Sequence, residues 1–295
     1  MEILLIGGTG FIGQAVCHFF QEKGVPVIVL TRNPSETHHR FWDPIHKEGA
    51  YDSLENITHI INVNGAGIAE KRWTKKRKHV LRTSRVEATE YLYKVTKEHC
   101  PNLRHYLGIS GINAFGFSDH KVFHEEDPMG TDYLSCLVSS WEKAHQLFKK
   151  RVPTTIIRLG MVIDPRGGAY EKMANPIRLG FGAVVGNGHQ KVPWISLSDV
   201  VGLLHHLCVD PNPSPTLIHG VSNHSTMHDI THFIARQEEK KIRLPNIPSF
   251  VIYLLFGRMG QLLTRSLQVH TESLIATGYP IKNPTLSSIP HAKKD

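Results

Sequence analysis

The sequence predicts an α/β protein with a doubly wound parallel sheet and a smaller C-terminal lobe. Three observations predict this class. An apolar run leads into a glycine-rich turn at the start of the chain, apolar strands then alternate with amphipathic helices, and the composition changes after residue 164. The chain has 295 residues, 40% hydrophobic and 20% charged, which suits a globular protein with one large α/β domain or slightly more.

The first strand is predicted over 2–6 and the first helix over 11–23. The turn between them places glycines at every third position: Gly7, Gly10 and Gly13. Glycines in this pattern permit a tight turn, let backbone N–H groups approach a pyrophosphate, and let the helix pack close to the strand. We therefore expect Gly7, Gly10, Phe11 and Ile12 to bind a nucleotide. The alternative is a glycine-rich turn that serves packing only.

The following elements continue the alternation. Strands are predicted over 25–30, 59–63, 105–110 and 154–159, with helices over 74–99 and 132–150 and a loop over 33–56. This spacing is typical of a parallel sheet with crossover helices, so residues 1–165 are predicted to form a nucleotide-binding domain.

After residues 164–168, glycine, proline and polar turns become frequent. Helices are predicted over 198–209, 227–239 and 249–264, and the last dozen residues are predicted to fray. We interpret 166–295 as a smaller substrate-binding lobe. An alternative stays open, in which the segment 198–222 returns to the main sheet.

The end of the second strand indicates which nucleotide binds. Sites for NAD usually place a carboxylate there, on the ribose hydroxyls, whereas this chain has Thr31-Arg32. A guanidinium pairs with a 2′-phosphate through two hydrogen bonds and can stack on adenine. The residue type favours NADP over NAD, and His39 and Arg40 could supplement Arg32. The alternative is that Arg32 is only a surface residue.

The formal net charge is +8, and the basic residues concentrate over 71–85. This run is typical of a solvated helix face, of a site for a phosphorylated ligand, or of a nucleic-acid surface. Nucleic acid is the least favoured partner, because no known binding module accompanies the run. The excess of Lys and Arg also suits an anionic dinucleotide.

Other classes of function lack support in the sequence. No apolar run reaches the length of a membrane span and strand one begins directly after Met1, so we expect a cytoplasmic protein without a membrane partner. The four cysteines are widely spaced, which predicts buried reduced thiols. The histidines are scattered, and we expect no metal site.

Several motifs together resemble a known family. They are Gly7-Gly8-Thr9-Gly10-Phe11-Ile12-Gly13, Trp42-Asp43-Pro44, Lys71-Arg72-Trp73-Thr74 with Ser84-Arg85, Trp141-Glu142, Arg158-Leu159-Gly160-Met161-Val162, Gly167-Gly168, and Gly186 to Gln190 leading to Pro193-Trp194-Ile195 and Asp199. In this order and spacing they resemble the extended or atypical short-chain dehydrogenase/reductase superfamily, and more closely its epimerase family protein branch, which is nucleoside-diphosphate-sugar epimerase-like.

The resemblance implies a Rossmann-type NADP-binding domain with a C-terminal substrate lobe. It implies cofactor contacts at Thr31, Arg32, Val63, Asn64, Arg85 and Val162. It also implies a small-molecule substrate, and superfamily members often form homo-oligomers.

The wider superfamily transfers protons with a Tyr-x-x-x-Lys pair, in which nearby positive charge lowers the pKa of the tyrosine. Registered on Glu142, the two positions carry Leu134 and Val138, so the pair is absent. Ser110 occupies the serine position and is the candidate catalytic residue. Glu142 is interpreted as a structural hydrogen-bonding partner and Asp199 as a helix cap.

We expect the remaining cleft to contain Ser110, Asn113, Tyr133, Arg158, Gln190 and Trp194. Two functions stay open. The chain is predicted to be an NADP-dependent oxidoreductase or epimerase acting on a small carbonyl or sugar-nucleotide substrate. The alternative is a non-catalytic NADP-binding sensor or interaction protein.

Overall fold

A computed structural model describes residues 1–210 and 215–291. The strands in chain order are β1 (Ile3–Ile6), β2 (Val27–Thr31), β3 (His39–Asp43), β4 (Glu48–Gly49), β5 (His59–Asn62), β6 (His105–Gly111), β7 (Val122–Phe123), β8 (Thr154–Leu159), β9 (Met161–Asp164), β10 (Lys191–Ser196), β11 (Leu217–Gly220), β12 (Asn223–Thr226) and β13 (Gln268–Val269).

The α-helices are α1 (Phe11–Glu22), α2 (Lys75–Arg82), α3 (Ala88–His99), α4 (Tyr133–Gln146), α5 (Gly168–Arg178), α6 (Leu197–Val209), α7 (Met227–Gln237), α8 (Ser249–Phe256), α9 (Gln261–Thr264) and α10 (Glu272–Ala276). A π-helical segment, Thr83–Glu87, joins α2 to α3, and short 3₁₀ turns occupy Leu147–Lys150, Gly257–Gly260 and Leu286–Ser288. None of these helices, within the described ranges, is long and apolar enough to cross a membrane.

The central sheet has the strand order β11-β8-β6-β5-β1-β2-β3-β4. Every pairing in it is parallel except the antiparallel pair β3 and β4. The chain winds outward from β1 in one direction through β2 and in the other through β5. The carboxyl ends of β1 and β5 therefore form the topological switch point, where open α/β sheets bind ligands. The predicted doubly wound, Rossmann-type architecture is confirmed.

Apolar residues cover both faces of the sheet. On one face, Val16 and Phe20 of α1 and Leu203 and Leu204 of α6 are fully buried against the sheet. On the other face, Leu92 of α3 packs with strand residues and with the Leu147–Lys150 turn. Because both faces are covered, the strands are continuously apolar, which is why the sequence pattern predicted them well.

A second sheet, in the order β12-β10-β9, packs with α5 and α7 around the fully buried Trp194. β11 pairs in parallel with β8, and α6 packs against the main sheet. These two elements thus lie with the main sheet, whereas most residues after 166 lie around the second one. The division into two domains stays a prediction.

The prediction of a loop over 33–56 is wrong, because the segment contains β3 and β4. β3 has the sequence HRFWD and buries only Trp42 fully, so it lacks the apolar run that marks the inner strands. The prediction of a single helix over 249–264 is also wrong, because the segment forms α8, a 3₁₀ turn and α9. It breaks at Gly257, whose φ of +60° lies in the left-handed region.

The end of the chain is more regular than predicted. The Leu286–Ser288 turn is formed, and Ile289 is buried in the core of the smaller lobe. Residues 292–295 of the predicted frayed tail lie outside the described residues. Cys17, Cys100 and Cys208 are buried and Cys136 is exposed, so the expectation of burial fails for one of the four.

Candidate functional site

The turn after β1 requires its glycines for steric reasons. Gly7 has a φ of +83°, and a Cβ there would lie 2.9 Å from the backbone of Asn64. A Cβ on Gly13 would lie 2.1 Å from the Gly7 carbonyl oxygen. At Gly10 the nearest atom to a Cβ is that same oxygen, at 3.3 Å. Gly7 and Gly13 are therefore needed for the fold itself, while Gly10 faces more open space.

The N-terminus of α1 has no capping side chain. Gly10 is its N-cap, and the first turn carries no acidic residue. α2, α4, α6 and α7, by contrast, begin with side-chain caps at Thr74, Asp132, Ser196 and Thr226. The half-buried Phe11 and Ile12 begin α1, and Gly167 and Gly168 leave room for the Phe11 ring. The free backbone N–H groups and the helix dipole favour an anion at this end.

A cleft of about 560 Å³ lies beside this turn and the end of β2. It is lined by Gly8, Thr9, Gln14, Cys17, His18, Gln21, Thr31, Asn33, Ser35, Glu36, His38 and His39. The small polar residues Asn33 and Ser35 follow β2, on either side of Pro34. Polar residues directly after a strand are the sequence signal for these two lining residues, which the sequence analysis does not name.

Arg32 follows β2 and is exposed. Across the described ranges its guanidinium has no hydrogen-bond or ion-pair partner. Arg40 differs, because it donates to the carbonyls of Thr37 and His39 at 2.9 and 3.0 Å. Of the three residues predicted to surround a 2′-phosphate, Arg32 is thus free to bind a ligand, His39 lines the cleft, and Arg40 is held by the loop.

Asn62 and Asn64 fix the turn after β5. The Asn62 side chain accepts from the Asn64 backbone N–H at 3.1 Å, and its amide donates to Tyr106 at 2.9 Å. The Asn64 amide donates to the Ser84 carbonyl at 2.8 Å, while Val63 donates its N–H to Ile6 at 3.0 Å. The turn is therefore tied to both β1 and the π-helical segment.

Arg85 lies in the π-helical segment and is 9% exposed. Its Nη1 donates to the Leu81 carbonyl at 3.4 Å, and its guanidinium lies 5.0 Å from the Trp141 ring. A Cβ on Gly65 would be 3.0 Å from the guanidinium carbon of Arg85. Because Gly65 has no side chain, the turn after β5 can approach the guanidinium this closely.

Burial lowers the pKa of Arg85 to about 10, which leaves it cationic at neutral pH. In the described part of the chain it forms no ion pair with a carboxylate. A buried cation without an anion is costly, and such positions are typical of binding sites.

Ser110 lies at the end of β6 and is 2% exposed. Its hydroxyl donates to Oε1 of Glu142 at 3.0 Å. Arg158 donates to both oxygens of the same carboxylate, at 2.7 and 2.9 Å. The structure thus gives Glu142 the hydrogen-bonding role predicted for it, and it ties the candidate catalytic serine to a buried ion pair.

The two positions of the proton-transfer pair lie in the core. Leu134 and Val138, on α4, are buried. Val138 lies 3.5 Å from where a Cβ of Gly111 would be, which places the position at the end of β6. Apolar packing therefore occupies the place of the lysine.

Three predicted cleft residues are structural instead. Arg158 and Trp194 are almost fully buried, and the Trp194 ring nitrogen donates to Ser225 at 2.9 Å. The Gln190 amide donates to the carbonyls of Val185 and Leu263. Their polar and aromatic residue types predict a cleft, whereas in the structure each of the three side chains is buried and donates hydrogen bonds to other groups of the protein. Tyr133 is half-buried between Trp73 and the Lys78 ammonium.

Asp199 also serves the fold. Ser196 is the N-cap of α6, and the Asp199 carboxylate accepts from Ser196 and from the backbone of Lys282 and Asn283. The predicted capping role therefore belongs to Ser196, while Asp199 holds the C-terminal segment against α6. Val162 lies in β9 and is half-buried beside the main core.

Comparison with known proteins agrees with this geometry. The family model described as NAD dependent epimerase/dehydratase family matches residues 3–218. The chain belongs to this family. The glycine turn, the switch point and the chain around Arg85 all lie within the matched range.

Curated relatives cover nearly the full length. The human epimerase family protein SDR39U1 is 30% identical over 98% of this chain and 98% of its own. The mouse protein of the same name is 29% identical over 97% of each chain.

Solved structures show the same fold. The crystal structure of human SDR39U1 with NADPH matches with a TM-score of 0.85 and 28% identity, over 98% of this chain and 97% of that one. A nucleoside-diphosphate sugar epimerase from Corynebacterium glutamicum matches with a TM-score of 0.77, over 99% of this chain and 57% of that one. At 22% identity the second match shows the fold alone. Family and structure together support a nicotinamide dinucleotide cofactor.

Proposed function

We propose that this protein binds NADP(H) and acts as an oxidoreductase or epimerase on a small carbonyl or sugar-nucleotide substrate. The observation that carries the cofactor proposal is Arg85, a buried cation at the switch point that forms no ion pair within the described residues. The uncapped N-terminus of α1 is a second position that calls for an anion. A dinucleotide pyrophosphate would supply the missing negative charge.

Arg32 supports the choice of NADP over NAD. The guanidinium is exposed and unpaired in the described chain, and it follows the strand that ends at the cleft. A 2′-phosphate would give it a charge-assisted partner. Glu36 also lines this cleft, with its carboxylate 3.5 Å from Nδ1 of His38.

In this proposal, individual residues have the following roles in binding the cofactor and the substrate. The backbone of Gly7, Gly10, Phe11 and Ile12 would bind the pyrophosphate, and Thr31 and Arg32 would hold the ribose end. Val63, Asn64 and Val162 would supply further cofactor contacts. The cofactor, when bound, supplies hydride-transfer chemistry. Ser110 would orient a substrate hydroxyl by accepting its hydrogen bond, because the Ser110 proton is donated to Glu142.

The alternative, a non-catalytic NADP(H) sensor, rests on a specific observation. Leu134 and Val138 fill the positions of the tyrosine and lysine with buried apolar side chains. A reductase of this kind would need a proton from water. Oxidation of NADPH over a panel of aldehydes, ketones and sugar nucleotides separates the two functions. Turnover that Ser110→Ala reduces supports the enzyme, and no turnover with tight NADPH binding supports the sensor.

The cofactor proposal is tested by NADPH fluorescence titration of Arg85→Met. We expect the affinity to fall at least about tenfold, because one charged hydrogen bond to the cofactor is lost. The same substitution should raise the melting temperature of the apo protein, since it removes an unpaired buried charge and keeps apolar packing.

Arg82→Met is the matched control. Its side chain is 53% exposed and pairs with Glu87 at 3.7 Å on the same helical stretch. We expect its NADPH affinity to stay within about twofold of the wild type. Equal affinities for Arg85→Met and the wild type would remove the observation that carries the proposal.

A further inference from the structure

Exposed apolar side chains are concentrated on α8. Within this helix only Ile252 is buried, whereas Phe250, Leu254 and Leu255 are 71, 73 and 56% exposed. Soluble proteins rarely expose several large apolar side chains on one element unless that element binds a partner.

A loop after α5 extends this surface. Leu179 and Phe181 are 74 and 68% exposed. Their loop packs beside the segment that leads into α8, because Ile247 exchanges backbone hydrogen bonds with Val184 and Gly186 at 2.8 and 2.9 Å. Leu244, in the same segment, is also exposed. We call these residues, 179–181, Leu244 and α8, the apolar face.

The surroundings of the apolar face are basic. From residue 240 to 271 the chain carries five Lys or Arg residues and no Asp or Glu: Lys240, Lys241, Arg243, Arg258 and Arg265. All five are exposed. The segment therefore combines exposed apolar side chains with exposed positive charge.

The basic run over 71–78 adjoins the same surface. A nitrogen of the Arg72 guanidinium lies 3.3 Å from where a Cβ of Gly257 would be, directly after α8. Lys71, Lys75 and Lys76 are exposed. The cofactor proposal uses none of these residues.

We propose that the apolar face and its basic rim dock this protein on an anionic lipid bilayer. Lipid tails would accept the apolar side chains and anionic headgroups would pair with the rim. α8 is about 12 Å long by helix geometry, so it lies in the interface and does not span it. The sequence predicted no membrane partner because it has no spanning segment, but interfacial docking needs none.

Other occupants fit less well. A nucleic acid would pair with the basic rim and leave the apolar side chains without a partner. A second copy of the chain would cover the apolar side chains but bring two basic rims together, which costs electrostatic energy. An anionic bilayer complements both parts of the surface.

Vesicle flotation tests this proposal. We expect the wild type to float with phosphatidylcholine vesicles that contain 30% phosphatidylserine, and to bind pure phosphatidylcholine vesicles at least about tenfold more weakly. Leu254→Ser/Leu255→Ser should lower binding to the anionic vesicles at least about tenfold, since it removes two inserted side chains. Lys75→Glu/Lys76→Glu should lower it about tenfold or more.

Ile275→Ser is the matched control, because Ile275 is 66% exposed on α10, a helix that contacts β11 at the edge of the main sheet. Its vesicle binding should equal that of the wild type, and all variants should keep the wild-type NADPH affinity, which reports folding. Failure of the wild type to float would overturn the proposal. So would a dimer that only the α8 variant dissociates, or binding of RNA without binding of vesicles.

Discussion

Arg158 forms a bidentate ion pair with Glu142 in the interior of the protein, with N···O distances of 2.7 and 2.9 Å. The side chains are 2 and 4% exposed. The pair joins α4 to β8, and Ser110 donates a third hydrogen bond to the same carboxylate. The candidate catalytic serine therefore depends on a salt bridge for its orientation.

Glu142→Gln should destabilise the fold by about 3–5 kcal/mol, because it leaves the Arg158 cation buried without a counter-charge. Urea unfolding measures this change. Arg166→Gln, which removes a pair whose arginine side chain is 69% exposed, should cost less than about 1 kcal/mol. A decrease of less than about 1 kcal/mol in the free energy of unfolding of Glu142→Gln would contradict the claim that Arg158 needs this carboxylate as its counter-charge.

Gly13→Ala should disrupt the turn after β1, since the new Cβ would lie 2.1 Å from the Gly7 oxygen. We expect a melting temperature several degrees lower and weaker NADPH binding. Gly10→Ala, with 3.3 Å to the same oxygen, should keep a melting temperature closer to that of the wild type. Equal stability of the two alanine variants, by thermal unfolding, would contradict the steric argument.

His145 predicts a dependence of stability on pH. Burial lowers its pKa to about 3. Its ring nitrogens contact the Tyr106 hydroxyl at 2.6 Å and the Ile109 carbonyl at 3.1 Å. A carbonyl can only accept, so Nε2 carries the hydrogen and Nδ1 accepts from Tyr106. Tyr106 in turn accepts from Asn62, which holds the turn at Asn64.

The unfolded chain binds a proton at this histidine below about pH 6.5, whereas the folded chain does not until about pH 3. The contribution is therefore complete above pH 6.5 and is lost as the pH falls toward 3, by about 1.4 kcal/mol per pH unit. Burial also lowers the pKa values of His59 and His224 to about 4, which adds to the slope.

Urea unfolding at pH 7, 5.5 and 4.5 should show a shallower slope for His145→Asn than for the wild type. His18→Asn, whose ring is 75% exposed, is the matched control and should keep the wild-type slope. Identical slopes for His145→Asn and the wild type would show that the ring is not held neutral by the fold.

Local features of the sequence predicted part of this structure. The turn from β1 to α1 could be predicted because its steric demands lie within a few residues. The inner strands were predictable because they are buried on both faces. β3 was not, since a strand with only one buried residue gives no apolar pattern.

The site was harder to predict, because its partners are distant along the chain. Glu142 and Arg158 belong to separate motifs in the sequence. The packing of α4 on the sheet brings them together as an ion pair. Arg85 lies in the π-helical segment, which no residue pattern predicts. Gln190 and Trp194 looked like cleft residues because polarity and aromaticity in a sequence do not reveal burial.

The most direct test of the central claim compares the dissociation constants for NADPH and NADH in the wild type and in Arg32→Ala, by fluorescence titration. Arg32 is exposed and unpaired in the described residues, so its replacement should leave the fold intact. We predict that the wild type binds NADPH at least about tenfold more tightly, and that Arg32→Ala loses about tenfold for NADPH with less than about twofold change for NADH. Equal losses for both nucleotides, or a wild type that prefers NADH, would contradict the claim that Arg32 binds a 2′-phosphate.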